Sequence, residues 1–158
     1  MDKQTFSYAD LKNSTCFEAV IRESLRVTPP VPLYGRTVKA EETSLMGLKI
    51  FKGTKVFFSC RPFHFDPTVW ESPLSFKPER WDTTTLETHS YGSESFMPFG
   101  LGPRSCLGQE FALYMIRTVL YGTLREALPR FENHTQSFRF FFGCQIPTKL
   151  KGGFYKQS

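Results

Sequence analysis

The chain has 158 residues, 40% of them apolar and 16% aromatic, with 17 phenylalanines. That length suits one domain, and so much apolar surface excludes a disordered segment. The net charge of +5 fits a solvated basic surface, or an acidic partner such as nucleic acid, an acidic protein or ligand carboxylates; charge alone does not choose between them.

Cys16, Cys60, Cys106 and Cys144 form no C-x-x-C pair, and a chain of this length needs no disulfide framework. His64, His89 and His134 are scattered without metal-type spacing, so no zinc site is indicated. The start, MDKQTFSYADLKN, is polar and unlike a signal peptide. No apolar run reaches the ~18–20 residues of a bilayer span; the longest, Phe111 to Leu124, is broken by Arg117. Neither an anchor nor an export signal is expected in the chain as given.

In chain order, the first predicted element is a helix from Tyr8 to Val27. Ser7 is its expected N-cap, and Leu11, Cys16, Val20, Ile21 and Leu25 keep helical spacing. Thr28-Pro29-Pro30 stops it, because proline lacks a donor and disfavours helix in the residue before it. Gly47 to Cys60 reads as two short strands about a Lys52-Gly53 turn, and Asp66 as the start of a short helix. Glu71 to Ser105 has little periodicity; so long an irregular stretch is usually functional. A second long helix is predicted from Gly108 or Gln109 to about Glu126, with Pro129 beyond its end. The tail, SFRFFFG and KLKGGFYKQ, suggests a final antiparallel pair.

Two constellations carry chemistry. Glu23 and Arg26, three apart, share a helix face. Such pairs usually sit on wet surfaces and contribute a few tenths of a kcal/mol. Here the surroundings, AVIRESLRV, are apolar, and FKPERW supplies a further arginine, Arg80. If Arg80 joins them, the three make a buried clamp between a helix and an irregular loop. The second is FMPFGLGPRSCLGQEFA, from Phe96 to Ala112. Gly100, Gly102 and Gly108 let the backbone turn tightly and approach a ligand, and Pro98 and Pro103 stiffen it. Cys106 sits just ahead of a helix N-terminus, an environment that favours thiolate. A thiolate there is a nucleophile or a metal ligand; the competing reading is a buried structural cysteine.

FGLGPRSCLG resembles the cysteine loop of the cytochrome P-450 family, F-x-x-G-x-R-x-C-x-G, at Phe99, Gly102, Arg104, Cys106 and Gly108. ESLR resembles its E-x-x-R helix motif, at Glu23 and Arg26, and FKPERW the element that supplies Arg80. The three occur in the family's order. The resemblance implies an α+β, mainly helical architecture: two main helices, small β elements and a long irregular loop before the cysteine loop. Residues 1–158 would be the C-terminal haem-binding part of that fold, with no internal boundary.

The resemblance also implies roles. Cys106 would be the thiolate ligand of haem iron, the ligation by which this family favours O–O cleavage. Phe99 would shield the sulfur, and Gly102 and Gly108 would let main-chain N–H groups reach it. Arg104 would pair with a haem propionate, Arg36 with a second, and His64 would lie near the same carboxylates. Leu33 and Tyr34, and with less support Phe142 to Ile146, would line the substrate pocket. Met115 stands where the family often has an acidic residue. The family inserts one atom of O2 into a small organic or lipid-like substrate, with electrons from a redox partner such as an NADPH-dependent reductase. A basic face would suit an acidic electron donor. The lysines and arginines fit no nucleic-acid recognition motif. The distal helix, with the acid–alcohol pair that delivers protons to oxygen, matches nothing here, so no catalytic residue of that kind is expected in this chain. The remainder of the domain would be a partner, and full-length eukaryotic members are held at the endoplasmic-reticulum membrane. The alternative is a truncated, catalytically inactive product that at most binds haem.

Overall fold

The computed structural model describes residues 14–81, 94–131, 137–141, 144–148 and 152–156. The expected start of the first helix, with Ser7 as its cap, lies outside these. Helix α1 is described over Thr15–Val27. Its last turn closes where the Thr28 amide and hydroxyl both donate to the Ser24 carbonyl, 2.8 and 3.0 Å away, and the two prolines follow. The helix buries two different stripes. Ile21 and Leu25 join Leu113, Phe96, Phe99, Ile116 and Leu120 in the apolar core, while Glu23 and Arg26 are buried on another side. An apolar-stripe reading sees only the first of these.

Strands β1 (Leu33–Thr37), β2 (Glu42–Leu45), β3 (Leu48–Phe51) and β4 (Lys55–Ser59) follow. They form two nested antiparallel pairs, β1 with β4 and β2 with β3. The expected strands β3 and β4 are present, but they do not pair about Lys52-Gly53. The hairpin tip is Met46-Gly47, with φ of 50° and 80°, the two positive values that a type I′ turn requires. Gly53, at φ +85°, instead turns the chain between the inner and outer pairs. There the Lys52 amide donates to Glu41 and the Gly53 amide to Val38. Gly35 faces Phe57 across β1 and β4, and the ring lies so close that a Cβ on Gly35 would meet it at 2.9 Å.

The short helix falls earlier than expected. Helix α2 is Arg61–His64, whereas at Asp66 the carboxylate accepts from the Thr68 amide and hydroxyl at 2.8 and 2.6 Å. The Trp70 amide donates to the Asp66 carbonyl at 2.8 Å, so Asp66 caps a single turn that does not extend into a helix. The irregular stretch contains one-turn 3₁₀ helices at Pro78–Trp81 and Gly102–Arg104. Helix α3 runs from Gln109 to Glu126, and Ala127 beyond it is extended, at φ −155°. The tail holds two antiparallel pairs in place of the single one expected: β5 (Ala127–Phe131) with β8 (Gly152–Lys156), and β6 (Ser137–Phe141) with β7 (Cys144–Thr148). Two long helices and eight short strands make the α+β architecture among the described residues. No helix among them is long and apolar enough to cross a membrane.

Candidate functional site: a buried clamp and the cysteine loop

The structure brings Glu23, Arg26 and Arg80 together, with Glu23 and Arg26 wholly buried and Arg80 nearly so. Glu23 Oε1 accepts from Arg26 Nη2 at 2.8 Å, the Lys77 amide at 2.8 Å and Arg80 Nε at 3.2 Å. Its Oε2 accepts from Arg26 Nε and Trp81 Nε1, both at 3.0 Å. Arg26 also donates to the carbonyls of His64 and Pro73 through Nη1, at 2.8 Å each, and to Ser75 through Nη2 at 3.1 Å. All five of its N–H donors are thereby used. Arg80 reaches the Glu71 carbonyl at 3.0 Å. Trp70 stands under both guanidiniums, 5.3 and 5.9 Å from its ring centre. Burial pushes the Glu23 carboxyl up, but donors from Arg26, Lys77 and Trp81 outweigh it and hold the group below the usual carboxylate range. Removing one member of such a network leaves a buried charge unmatched, at a cost of ~3–5 kcal/mol.

His64 connects this clamp to the loop that carries Cys106. Its side chain is wholly buried, and both ring nitrogens are taken by backbone. Nε2 accepts from the Met97 amide at 3.0 Å, so the proton sits on Nδ1 and is donated to the Arg26 carbonyl, 3.1 Å away. Only a neutral imidazole does both. Burial is the main reason its pKa falls to about 4, the bond to Arg26 partly offsetting it and the Arg26 and Arg61 charges adding to it. The loop is also propped from β1: the Tyr34 hydroxyl donates to the Met97 carbonyl at 2.8 Å, and its ring stacks on Phe58. The Tyr34 hydroxyl is pushed up to about 12, chiefly by burial. Tyr34 thus supports the loop, and Leu33 beside it is exposed. Of the weaker pocket candidates, Phe142 and Gly143 lie outside the described residues, and Cys144 begins β7.

From Met97 onward the chain doubles back. The Gly100 amide donates to Met97, the Ser105 amide to Gly102, and the Cys106 amide to Phe99 at 2.8 Å. Gly100 and Gly102 carry φ of +76° and +69°, backbone that side-chain-bearing residues rarely adopt. The resulting hairpin presents Cys106 as an exposed residue two positions before Gly108, the cap of α3. That separates it from Cys60, which is buried and whose thiol is pushed up mainly by that burial. Phe99 is half-buried against the core beneath the loop. Arg104 and Arg36 are both exposed; Arg36 donates to its neighbour's carbonyl, Gly35, at 2.8 Å.

Several contributors were not singled out in the sequence. Trp81 and the Lys77 amide lie inside FKPERW but act through tertiary contacts that spacing does not reveal. Arg117 pairs with Glu18, 99 positions earlier, at 2.6 Å. Its signal was visible as the lone charge interrupting an apolar helix.

The cytochrome P450 family model matches residues 1–138. Over 129 residues the chain is 38% identical to cytochrome P450 4d2 of Drosophila melanogaster, covering 80% of this chain and 25% of that protein. It is 39% identical to cytochrome P450 4V2 of Rattus norvegicus, covering 74% of this chain and 22% of that one. The chain thus spans about a quarter of the length of these relatives. Its fold superposes on the crystal structure of the cytochrome P450DA heme domain with a TM-score of 0.84, at 21% identity, over 99% of this chain and 34% of that one. Haem is the cofactor of this family of thiolate-ligated oxidoreductases, and by motif, sequence and fold this chain belongs to the cytochrome P450 family.

Proposed function

We propose that this chain is the haem-holding part of a cytochrome P450 monooxygenase, with Cys106 as the iron ligand. The observation that carries the reading is the contrast between an exposed Cys106 and the fully bonded scaffold behind it. The residues present fit the group. A thiolate suits iron, the hairpin that bears it is open on its outer side, and exposed Arg104 and Arg36 suit the two carboxylates of the macrocycle's edge. Phe99 would cover one flank of the sulfur, and Gly102 and Gly108 leave the backbone around it uncovered by side chains; a Cβ on Gly108 would stand 4.0 Å from Sγ.

When bound, haem supplies the iron centre at which O2 is activated. This chain's own residues hold and orient it. Cys106 contributes an anionic ligand, the Cys106-to-Phe99 hydrogen bond fixes the hairpin, and Met97, gripped from both sides by His64 and Tyr34, fixes where the hairpin starts. In the whole enzyme the reaction would insert one oxygen atom into a small organic or lipid-like substrate, with electrons from a reductase. Ferrous carbon-monoxide spectra of the haem-loaded chain test the ligation. A thiolate-type Soret band that vanishes in Cys106→Ser is expected; a histidine-like band in the wild type would overturn the assignment.

A second reading concerns the 158 residues alone: haem binding without turnover. It is favoured by the quarter-length coverage of the relatives, because water exclusion and substrate positioning need walls on both faces of the cofactor. With a reductase present, the purified chain is expected to show no substrate-dependent NADPH consumption. Coupled product formation would refute this reading.

A further inference from the structure

In hydrogen bonds, the cysteine hairpin hangs from one peptide. Among the described residues, residues 97–107 bond to the α1, α2 and β1 scaffold through Met97 alone: its amide donates to His64 Nε2 at 3.0 Å, and its carbonyl accepts from the Tyr34 hydroxyl at 2.8 Å. The other bonds of the segment stay inside it or lead into α3: the Gly100 amide to Met97, Ser105 to Gly102, Cys106 to Phe99, and the Gln109 amide to the Cys106 carbonyl. The two tethers are unequal. The Met97 carbonyl has a second donor, the Gly100 amide at 3.1 Å, so it stays matched without Tyr34. The Met97 amide has His64 as its acceptor, and Met97 is buried. Without His64 that N–H is left unpaired away from water, which is the costly case.

The imidazole is itself fixed to the clamp. The His64 carbonyl accepts from Arg26 Nη1 at 2.8 Å, its Nδ1 donates to the Arg26 carbonyl at 3.1 Å, and its amide donates to the Cys60 carbonyl at 3.0 Å. The Nδ1 bond sets both the ring plane and the tautomer, which leaves the Nε2 lone pair for Met97. The Phe96 ring packs beside it, 5.6 Å between ring centres. Two residues past Met97, the Phe99 carbonyl receives the Cys106 amide at 2.8 Å, so the place of Met97 decides the place of the sulfur. We propose that His64 is a positioning residue for the cysteine ligand: one imidazole passes the placement of the Glu23–Arg26 clamp to Cys106, through Nε2 and the Met97 amide. The role rests on the assignment of Cys106 as the haem ligand, whereas the tether itself is a property of the chain without haem.

Two variants separate the two ring nitrogens. In His64→Asn the side-chain amide falls where Nδ1 stands, so it keeps a donor for Arg26 and loses the acceptor for Met97. In His64→Gln it reaches the place of Nε2 and offers an oxygen to Met97, while the donor to Arg26 is lost. Each variant gives up one hydrogen bond, so a merely structural role affects both alike. In the ¹⁵N-labelled chain without haem, exchange of the Cys106 amide is expected to be about tenfold faster in His64→Asn than in His64→Gln. In the haem-loaded chains, the thiolate-type ferrous carbon-monoxide band is expected to be lost in His64→Asn and retained in His64→Gln. A wild type with that band and two variants that match in exchange and in spectrum would overturn this inference alone. A wild type without the band would overturn the ligand assignment and this inference with it. The wild-type chain also gives a reading that needs no variant to fold: the Met97 and Cys106 amides are expected to exchange with the same urea dependence, and a Cys106 amide that exchanges fast while Met97 stays protected overturns the proposal.

Discussion

The clamp and the cysteine hairpin are neighbours built on opposite rules. In the clamp every strong donor and acceptor is matched inside the chain: Glu23 receives five N–H groups and Arg26 gives all of its own. In the hairpin the backbone is tied, but the residues that bear chemistry, Cys106 and Arg104, face outward. Leu107 next to them is fully exposed. A buried network that closes on itself specifies position; an exposed cysteine beside an exposed arginine and Leu107 leaves its contacts to be made by something else. The difference separates residues that hold shape from residues left facing outward, and His64 and Tyr34 are the links between the two.

Breaking the clamp is expected to have the largest effect. Glu23→Gln keeps the volume and removes the charge that answers two buried guanidiniums, so unfolding free energy in urea should fall by ~3–5 kcal/mol, or the chain should fail to fold. Next comes the link. His64 has a folded pKa of about 4 against an ordinary 6.5. Between those values the unfolded chain takes up a proton and the folded chain does not, so stability is full above pH 6.5 and falls as pH drops toward 4. The loss is about 3 kcal/mol in total. His64→Asn should be less stable at neutral pH but lack that decline, as urea midpoints across the window would show. The lowered carboxyls Glu18 and Glu23 act in a lower window: their contribution is present above the ordinary carboxylate value of 4.5 and is lost below it, as pH falls through their folded values. Tyr34→Phe removes one donor from Met97, which keeps the Gly100 amide, and should cost about 1 kcal/mol. The exposed pair Lys49–Glu42, 2.7 Å apart, marks the floor: Lys49→Ala should change the urea midpoint by less than about 1 kcal/mol in free energy.

Local chemistry explains what the sequence made legible. Helix α3 could be bounded closely because Gly108 and Pro129 bracket an apolar helical period, and the clamp because E-x-x-R sits in an apolar setting. The outer and inner β pairs were misjudged because Lys52-Gly53 looks like a hairpin tip, while Met46, whose positive φ makes the real one, carries no turn signature. Asp66 does cap a turn, through Thr68 and Trp70, but that turn is not continued as a helix. The roles of His64 and Tyr34 rest on Met97, 33 and 63 positions away, and no periodicity encodes such contacts. The Glu18–Arg117 pair is hidden for the same reason.

The contrast between the two regions reduces to one measurement: thermal melting of the wild-type chain and Cys106→Ser, each with and without haem. The two apo chains should melt alike, because the exposed sulfur contributes nothing to the scaffold, and haem at 100 times its dissociation constant should raise the wild type by about 2.7 kcal/mol while leaving the serine variant nearly unmoved. An apo variant that melts far below the wild type, or equal stabilisation of both by haem, would contradict the division between a self-contained clamp and a cysteine that holds the cofactor.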